Sequence, residues 1–303
     1  MLIKAPAKIN LTLRILSKRA DGYHELSSLM RAIRLFDVLE VEAFTPWDRA
    51  NGKKVVTFGA GEPYCDINVQ ADTKSVEEGP GNLAYKAASL MVSKLHGQIH
   101  GIDISIKKHI PVASGLGGGS ADAAAVLLCL AKKTIPEIKL PDLADWGAEI
   151  GMDVPFCVYA CAAANPDLGY EGAGTALAEG AGELITPLYV QEKAWLVLVN
   201  PQVEVPTKQV YELYDLRGGC DSASDNDLEA SCAEAWPVVA ETLSALKNIC
   251  ASEGLGDIKV QLSGSGPTIF AYFEESLKAE AERVYTRAKE TFEGMKVLFT
   301  ETL

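Results

Sequence analysis

Lys8 and Asn10 stand two residues apart in Ala5-Pro6-Ala7-Lys8-Ile9-Asn10-Leu11. In an extended chain this spacing puts both side chains on one face. A lysine there reads in two ways: as an edge-strand charge that discourages aggregation, or as a cation aimed at a phosphate in transfer or at a hydroxyl to be activated. A second segment, Pro111-Val112-Ala113-Ser114-Gly115-Leu116-Gly117-Gly118-Gly119-Ser120-Ala121, sets four glycines ahead of an Ala- and Leu-rich stretch. Glycines at a helix N-terminus let unpaired backbone N–H groups approach an anion with no Cβ in the way. No Gly-Lys-Ser/Thr follows, so the run is not a Walker loop, and Ser120 stands where G-x-G-x-x-G requires its third glycine. By itself the run reads equally as a phosphate cradle or as a turn capping a buried helix.

Two further segments carry chemistry. Asp153 sits in Gly151-Met152-Asp153-Val154-Pro155-Phe156, an apolar turn expected between a helix end and a strand. Such an aspartate often only caps a turn. Burial raises a carboxyl pKa and a neighbouring lysine lowers it, so an Asp153 paired with Lys8 would stay ionised and still act as a base. The stretch Leu262-Ser263-Gly264-Ser265-Gly266-Pro267-Thr268 is a second glycine loop, between two strand-like segments. Its small side chains allow it to pack against the first loop and against a phosphate-bearing ligand.

These residues need a frame to hold them. Alternation predicts strands at 9–15, 38–43 and 102–106, and strand-like Val55-Val56-Thr57-Phe58 within a region of hairpin and loops over 45–81. Helices are predicted over 82–95, with Asn82 as N-cap, over 121–131, and over 140–150, entered through Pro141-Asp142. A turn is expected at Asn165-Pro166-Asp167. Beyond it come strands at 195–199, 258–262, 268–273 and 296–299, with helices at 236–252 and 276–292. That order predicts an antiparallel sheet backed by helices, an α+β arrangement.

Composition narrows the function classes. A 303-residue chain with 48% hydrophobic and 23% charged residues has the make-up of a folded, two-domain protein. Its net charge of -13 speaks against nucleic acid and anionic membrane as partners. No apolar run approaches the ~20 residues of a membrane span. The seven cysteines have no paired spacing, which suits a reducing compartment, and no metal-ligand pattern involves the four histidines. The expectation is a cytoplasmic protein, or one of the plastid stroma if the chain is a processed form. Oligomeric state stays open between monomer and weak homodimer.

Taken together, the Lys8 segment, Arg19-Ala20-Asp21-Gly22-Tyr23-His24-Glu25-Leu26, the two glycine loops and the Asp153 segment closely resemble the GHMP kinase superfamily. The Asp21-Gly22-Tyr23-His24 element is not general to the superfamily and points to its branch acting on CDP-linked methylerythritol. The resemblance is weak at about 46–80, 161–173 and 216–225. It implies an α+β, two-domain fold: a ribosomal-S5-domain-2-like nucleotide-binding domain over 1–160 and a ferredoxin-like α/β-sandwich substrate domain over 161–303. It implies ATP and Mg2+ as cofactors, CDP-methylerythritol as substrate, and phosphorylation of its 2-hydroxyl in the non-mevalonate route to isoprenoids.

By the same resemblance Asp153 takes the hydroxyl proton and Lys8 polarises the acceptor, while residues 111–121 (Pro111, Val112, Ala113, Ser114, Gly115, Leu116, Gly117, Gly118, Gly119, Ser120 and Ala121) hold the phosphates. Asn82 and Lys108 fall near the adenine, although they read equally as a helix cap and a solvated loop charge. Asn10, Tyr23, His24, Tyr211, Gly264, Ser265 and Gly266 serve the substrate, with Tyr211 stacking on the base and His24 at its edge. Ser120 is placed to contact a phosphate or the metal, and no further metal ligand is implied. The chain departs from the family at Ala113-Ser114, where Gly-Ala or Gly-Gly is usual, and in a longer segment over 159–171. Rival readings are a homoserine- or mevalonate-type kinase, which Asp21 to His24 disfavours, and a silent ligand sensor, which retention of Lys8 and Asp153 disfavours. An NAD-dependent oxidoreductase is disfavoured by Ser120 and the second loop.

Overall fold

The structure, a computed structural model, describes residues 1–44, 65–95, 99–219 and 224–303. Val55 to Phe58 lie outside the described residues. Contacts group the chain into two units built from interleaved segments: Met1–Pro6, Phe36–Val112 and Gly118–Ala173 form one, and Ala7–Leu35, Ala113–Gly117 and Gly174–Leu303 the other. Strand β1 (Leu2–Asn10) and the 21-residue strand β3 (His24–Phe44) each contribute residues to both.

In the first unit, β4 (Asp66–Ala71) runs parallel to β5 (Gly101–Lys107), which pairs antiparallel with residues 38–44 of β3. Helix α1 (Leu83–Lys94) has Asn82 as its N-cap, the side chain accepting from the Ala84 N–H at 2.8 Å. Helix α2 (Gly118–Thr134) is buried at every residue from Ala121 to Ala131. Only an interior helix, covered on all sides, is apolar all round, and α2 packs between α1 and α4 (Val154–Ala164). Helix α3 (Leu140–Ala148) completes the unit's helical layer.

In the second unit, residues 26–31 of β3 pair with β6 (Thr175–Gly180), which pairs with β7 (Leu184–Leu188). Strand β2 (Arg14–Lys18) returns along the start of β3. A separate antiparallel sheet has the order β11-β8-β10-β9, from β8 (Ala194–Asn200), β9 (Lys259–Leu262), β10 (Ile269–Glu274) and β11 (Lys296–Glu301). Helices α5 (Thr207–Leu216), α6 (Glu229–Ala235), α7 (Pro237–Ser252) and α8 (Lys278–Thr291) belong to the same unit. Val197, Val199, Leu246, Phe273 and Val284 share one buried core.

The α+β expectation and the antiparallel C-terminal sheet are as predicted, and four local expectations are corrected. The strand over 9–15 breaks: β1 ends at Asn10 and β2 starts at Arg14, because the N–H of Leu11 turns to the Leu29 carbonyl at 2.7 Å and Leu13 exchanges backbone bonds with Asp225 and Asp227. Lys8 and Asn10 remain together on β1. The strand expected after Asp153 is helix α4, whose uninterrupted apolar sequence offers no polar face to reveal its period. The strand at 38–43 is the last third of a much longer one. The described part of the expected 45–81 hairpin holds β4, which pairs in parallel.

Candidate active site

Lys8 and Asn10 are each 4% exposed, and the Lys8 ammonium donates to Asn10 Oδ1 at 2.7 Å. The Asn10 amide in turn donates to Ser28 Oγ at 2.8 Å, and the Ser28 hydroxyl to the Thr12 carbonyl at 2.7 Å. This chain of bonds fixes which end of the Asn10 amide meets the ammonium. The Lys8 stem lies along the first glycine loop: the Lys8 N–H donates to the Leu116 carbonyl at 2.9 Å, and a Cβ on Gly117 would fall 2.8 Å from Lys8 Cγ. Any side chain at Gly117 would therefore push the cation out of place.

The two glycine loops interlock. The Ser263 hydroxyl donates to the Gly115 carbonyl at 3.0 Å, and the Thr268 N–H to the Ser114 carbonyl at 3.2 Å. Gly264 lies against the Lys8–Asn10 pair, since a Cβ on it would be 3.3 Å from Asn10 Oδ1 and 3.4 Å from Lys8 Nζ. Ser265 Oγ shares a 2.9 Å hydrogen bond with Thr207 Oγ1. Packing of the second loop against the first is thus a direct backbone contact.

A second cluster of the same unit surrounds His24. The turn before it is closed by the Asp21 side chain, which accepts from the Tyr23 N–H at 3.1 Å, and by the Arg19 N–H donating to the Tyr23 carbonyl at 2.7 Å. Tyr23 is left exposed at 53% while His24 turns inward at 7%. The His24 ring stacks on Tyr211 (centroids 5.0 Å apart, 26° between planes) and meets Tyr214 edge-on. His24 Nε2 is 2.7 Å from Asp215 Oδ1. A carboxylate only accepts, so the network places a proton on Nε2.

Sequence reasoning missed Asp215, and its only signal was its place four residues after Tyr211 on α5, one helical turn away. Its carboxyl is held below the usual range chiefly by the hydrogen bond from Lys18, at 2.5 Å; burial opposes this, and the hydrogen bond from His24 adds to the lowering. It therefore stays ionised at neutral pH, and its contribution to stability is lost only as pH falls below about 4. Asp215→Asn should raise KM for a ligand recognised by His24 about tenfold, the worth of one charge-assisted hydrogen bond. Steady-state kinetics at pH 7.5 check this, and an unchanged KM would rule out the orienting role.

In the first unit, Gly118, Gly119 and Ser120 form the first turn of α2, with Gly119 exposed and Ser120 half-buried. The turn presents free N–H groups and the positive end of a 17-residue helix dipole. Lys108, read as near the adenine or as a solvated charge, is neither solvated nor isolated. Its ammonium is hydrogen-bonded to Asp37 and lies 2.6 Å from Asp122 Oδ2. Asp37 also accepts from the N–H groups of His109 and Ile110 at 2.6 and 2.9 Å. Burial pushes the Asp122 carboxyl up to about 7 despite Lys108. Asn82 serves α1 as its cap and donates to the Glu77 carbonyl at 2.6 Å.

Asp153 is the N-cap residue of α4 and makes no side-chain capping bond. It is half-buried, so the apolar enclosure expected from Met152, Val154 and Phe156 is only partial. It belongs to the first unit and Lys8 to the second.

Residues 82–161 match the model of the GHMP kinases N terminal domain. A 4-diphosphocytidyl-2-C-methyl-D-erythritol kinase of Geobacter sulfurreducens is 36% identical to the chain, over 96% of each. One of Clostridium botulinum is 35% identical over 100% of both. The chain belongs to the 4-diphosphocytidyl-2-C-methyl-D-erythritol kinase family. A solved 4-(cytidine 5'-diphospho)-2C-methyl-D-erythritol kinase superposes with a TM-score of 0.68 at 29% identity, covering 100% of this chain and 99% of that one. A homoserine kinase from Cytophaga hutchinsonii shares the fold, with a TM-score of 0.66 at 18% identity, over 100% of this chain and 94% of that one.

In this 4-diphosphocytidyl-2-C-methyl-D-erythritol kinase relative, the first glycine loop contains one strained non-glycine residue. Ala113 takes φ +51, the left-handed region in which glycine carries no Cβ penalty. Ala113 thus holds a backbone conformation that its Cβ strains.

Proposed function

We propose that this chain transfers the γ-phosphoryl group of ATP to the 2-hydroxyl of 4-diphosphocytidyl-2-C-methyl-D-erythritol, a step of the non-mevalonate route to isoprenoid precursors. The observation that carries this reading is kinship with kinases of that name over the whole chain. The paired glycine loops around Lys8 support it from the chemical side.

In the proposed division of labour, residues 1–160 serve ATP and the transfer, and residues 161–303 bring Tyr211 and the second glycine loop to the substrate. Pro111 to Ala121 cradle the phosphates through backbone N–H groups at the start of α2. Phosphoryl transfer asks mainly for positioning and charge neutralisation. Asp153 accepts the proton of the 2-hydroxyl, and the Lys8 ammonium, oriented by Asn10, offsets the negative charge that develops on the oxygen.

Mg2+ would arrive on the ATP phosphates. It favours few protein oxygens plus phosphate and water, and the half-buried Ser120 hydroxyl in the first turn of α2 suits that role. Among the described residues no group of three or more His, Cys, Asp or Glu is arranged to hold a metal. When bound, the ion supplies neutralisation of phosphate charge.

At the other end of the substrate, the buried His24 ring hydrogen-bonds the edge of the cytosine. Tyr211 and Tyr23 supply aromatic faces; stacking of a base on such a ring is worth about 1–3 kcal/mol. We place the protein in the cytoplasm; among the described residues no helix is long and apolar enough to cross a membrane.

A coupled ADP-release assay on the purified chain tests the reading. The expected result is turnover with 4-diphosphocytidyl-2-C-methyl-D-erythritol and none with mevalonate or homoserine. Turnover with either of those and none with the cytidyl substrate would overturn it.

A further inference from the structure

The segment Asn226-Asp227-Leu228-Glu229, remote in sequence from every motif described above, makes three hydrogen bonds to the second glycine loop. Asn226 is 1% exposed, and its amide nitrogen donates to the carbonyls of Leu262 and Gly264, at 2.9 and 2.8 Å. Its Oδ1 accepts from the Leu228 N–H at 3.0 Å, which fixes the amide with its donors toward the loop. The buried Glu229 accepts from the Leu262 N–H at 2.9 Å. Both sides of the second glycine loop's entry are therefore held by two side chains of one short segment.

The same segment grips the chain that follows Lys8 and Asn10. Leu13 donates to the Asp225 carbonyl at 2.8 Å and accepts from the Asp227 N–H at 2.9 Å, a short parallel bridge. The Asp227 carboxylate accepts from the Ile15 N–H at 2.8 Å and from Arg14 at 3.0 Å. Gln261, one residue before Leu262, donates to the carbonyls of Asn10 and Leu11 at 2.9 and 3.1 Å. Gly264 and the Lys8–Asn10 pair are held to one frame from both ends.

We propose that Asn226 is a positioning residue for phosphoryl transfer: its amide, backed by Glu229, sets the Gly264 backbone against the Lys8–Asn10 pair. The proposal rests on the reading of residues 264–266 as part of the substrate site. Asn226 touches neither substrate nor nucleotide in this account. It acts through the loop, and a shift of about 1 Å in a positioning element is enough to cost on the order of 100-fold in rate.

The test uses steady-state kinetics and thermal melts on the full chain. Asn226→Asp is nearly isosteric and keeps the bond to Leu228, but sets a carboxylate against two carbonyl oxygens. We expect kcat to fall about 10- to 100-fold while KM for ATP changes less than about twofold. Asn226→Ser, with one donor, should lose less. Val239→Ala in the buried core provides a destabilised variant that keeps the wild-type kcat when folded. A kcat for Asn226→Asp within about threefold of the wild type, or reduced no more than in Val239→Ala, overturns the proposal. If Asn226→Asp does not fold, Asn226→Ser decides, and a wild-type kcat there overturns it as well. Gly264→Ala separates the two layers of the argument. Wild-type kcat in Gly264→Ala sinks the site reading of the loop and the proposal with it, whereas a loss there alongside a normal Asn226→Asp sinks only the positioning role.

Discussion

Asp153→Asn should lower kcat for phosphorylation of the cytidyl substrate by about 10²- to 10⁴-fold, the usual worth of a positioned general base. KM for ATP and for the acceptor should stay within about threefold, because the carboxylate is assigned to the proton in flight and not to ground-state binding. The substitution is nearly isosteric and removes no side-chain capping bond from α4, since Asp153 makes none. The decisive quantity is kcat from ADP release at saturating substrates, and a loss smaller than tenfold would remove Asp153 from the base role.

Gly115→Ala should damage the protein by a different route. Gly115 has φ +76, and a Cβ there would lie 2.4 Å from the Ser263 carbonyl oxygen and 2.7 Å from that of Gly266. Both obstacles are backbone atoms, so no side-chain rotation relieves the clash, and the two loops must part. Left-handed strain alone costs about 1–2 kcal/mol, and forced separation of packed backbone brings the total to roughly 2–4 kcal/mol. Gly254→Ala is the matched control: φ is +79 and nothing lies within 4 Å of the added Cβ. Denaturant melts of the two variants should differ by the cost of the clash alone, and only Gly115→Ala should lose kcat. Equal behaviour of the two would show that the loops are not interlocked through Gly115.

How far the site was legible in the sequence depended on how local its signals are. Lys8 and Asn10 were placed together by strand spacing, and the glycine run was placed before a helix by composition, because both patterns span a few residues. Residues paired across long separations left no such trace. Asp215 meets His24 from 191 positions away, and Asn226 reaches Gly264 across 38. Lys108 looked like a loop charge because nothing nearby in sequence announces Asp37, 71 positions earlier. Helix α4 was misread for an energetic reason. Buried on nearly all sides, it carries no polar residues to mark a period, and interior packing rather than amphipathicity holds it helical.

The interlocked loops also set a schedule. The Ser263 hydroxyl closes on the Gly115 carbonyl across 148 residues, and the Lys8 amine is framed by loops drawn from both regions. Loop-closure entropy grows only slowly with length, so the equilibrium cost is modest, whereas non-local contacts delay folding. During synthesis, a chain that has reached Ala173 already holds Lys8 and the first glycine run but lacks the two strands that flank the second loop. An unfinished chain thus holds Lys8 and the first glycine run without the loop that frames them.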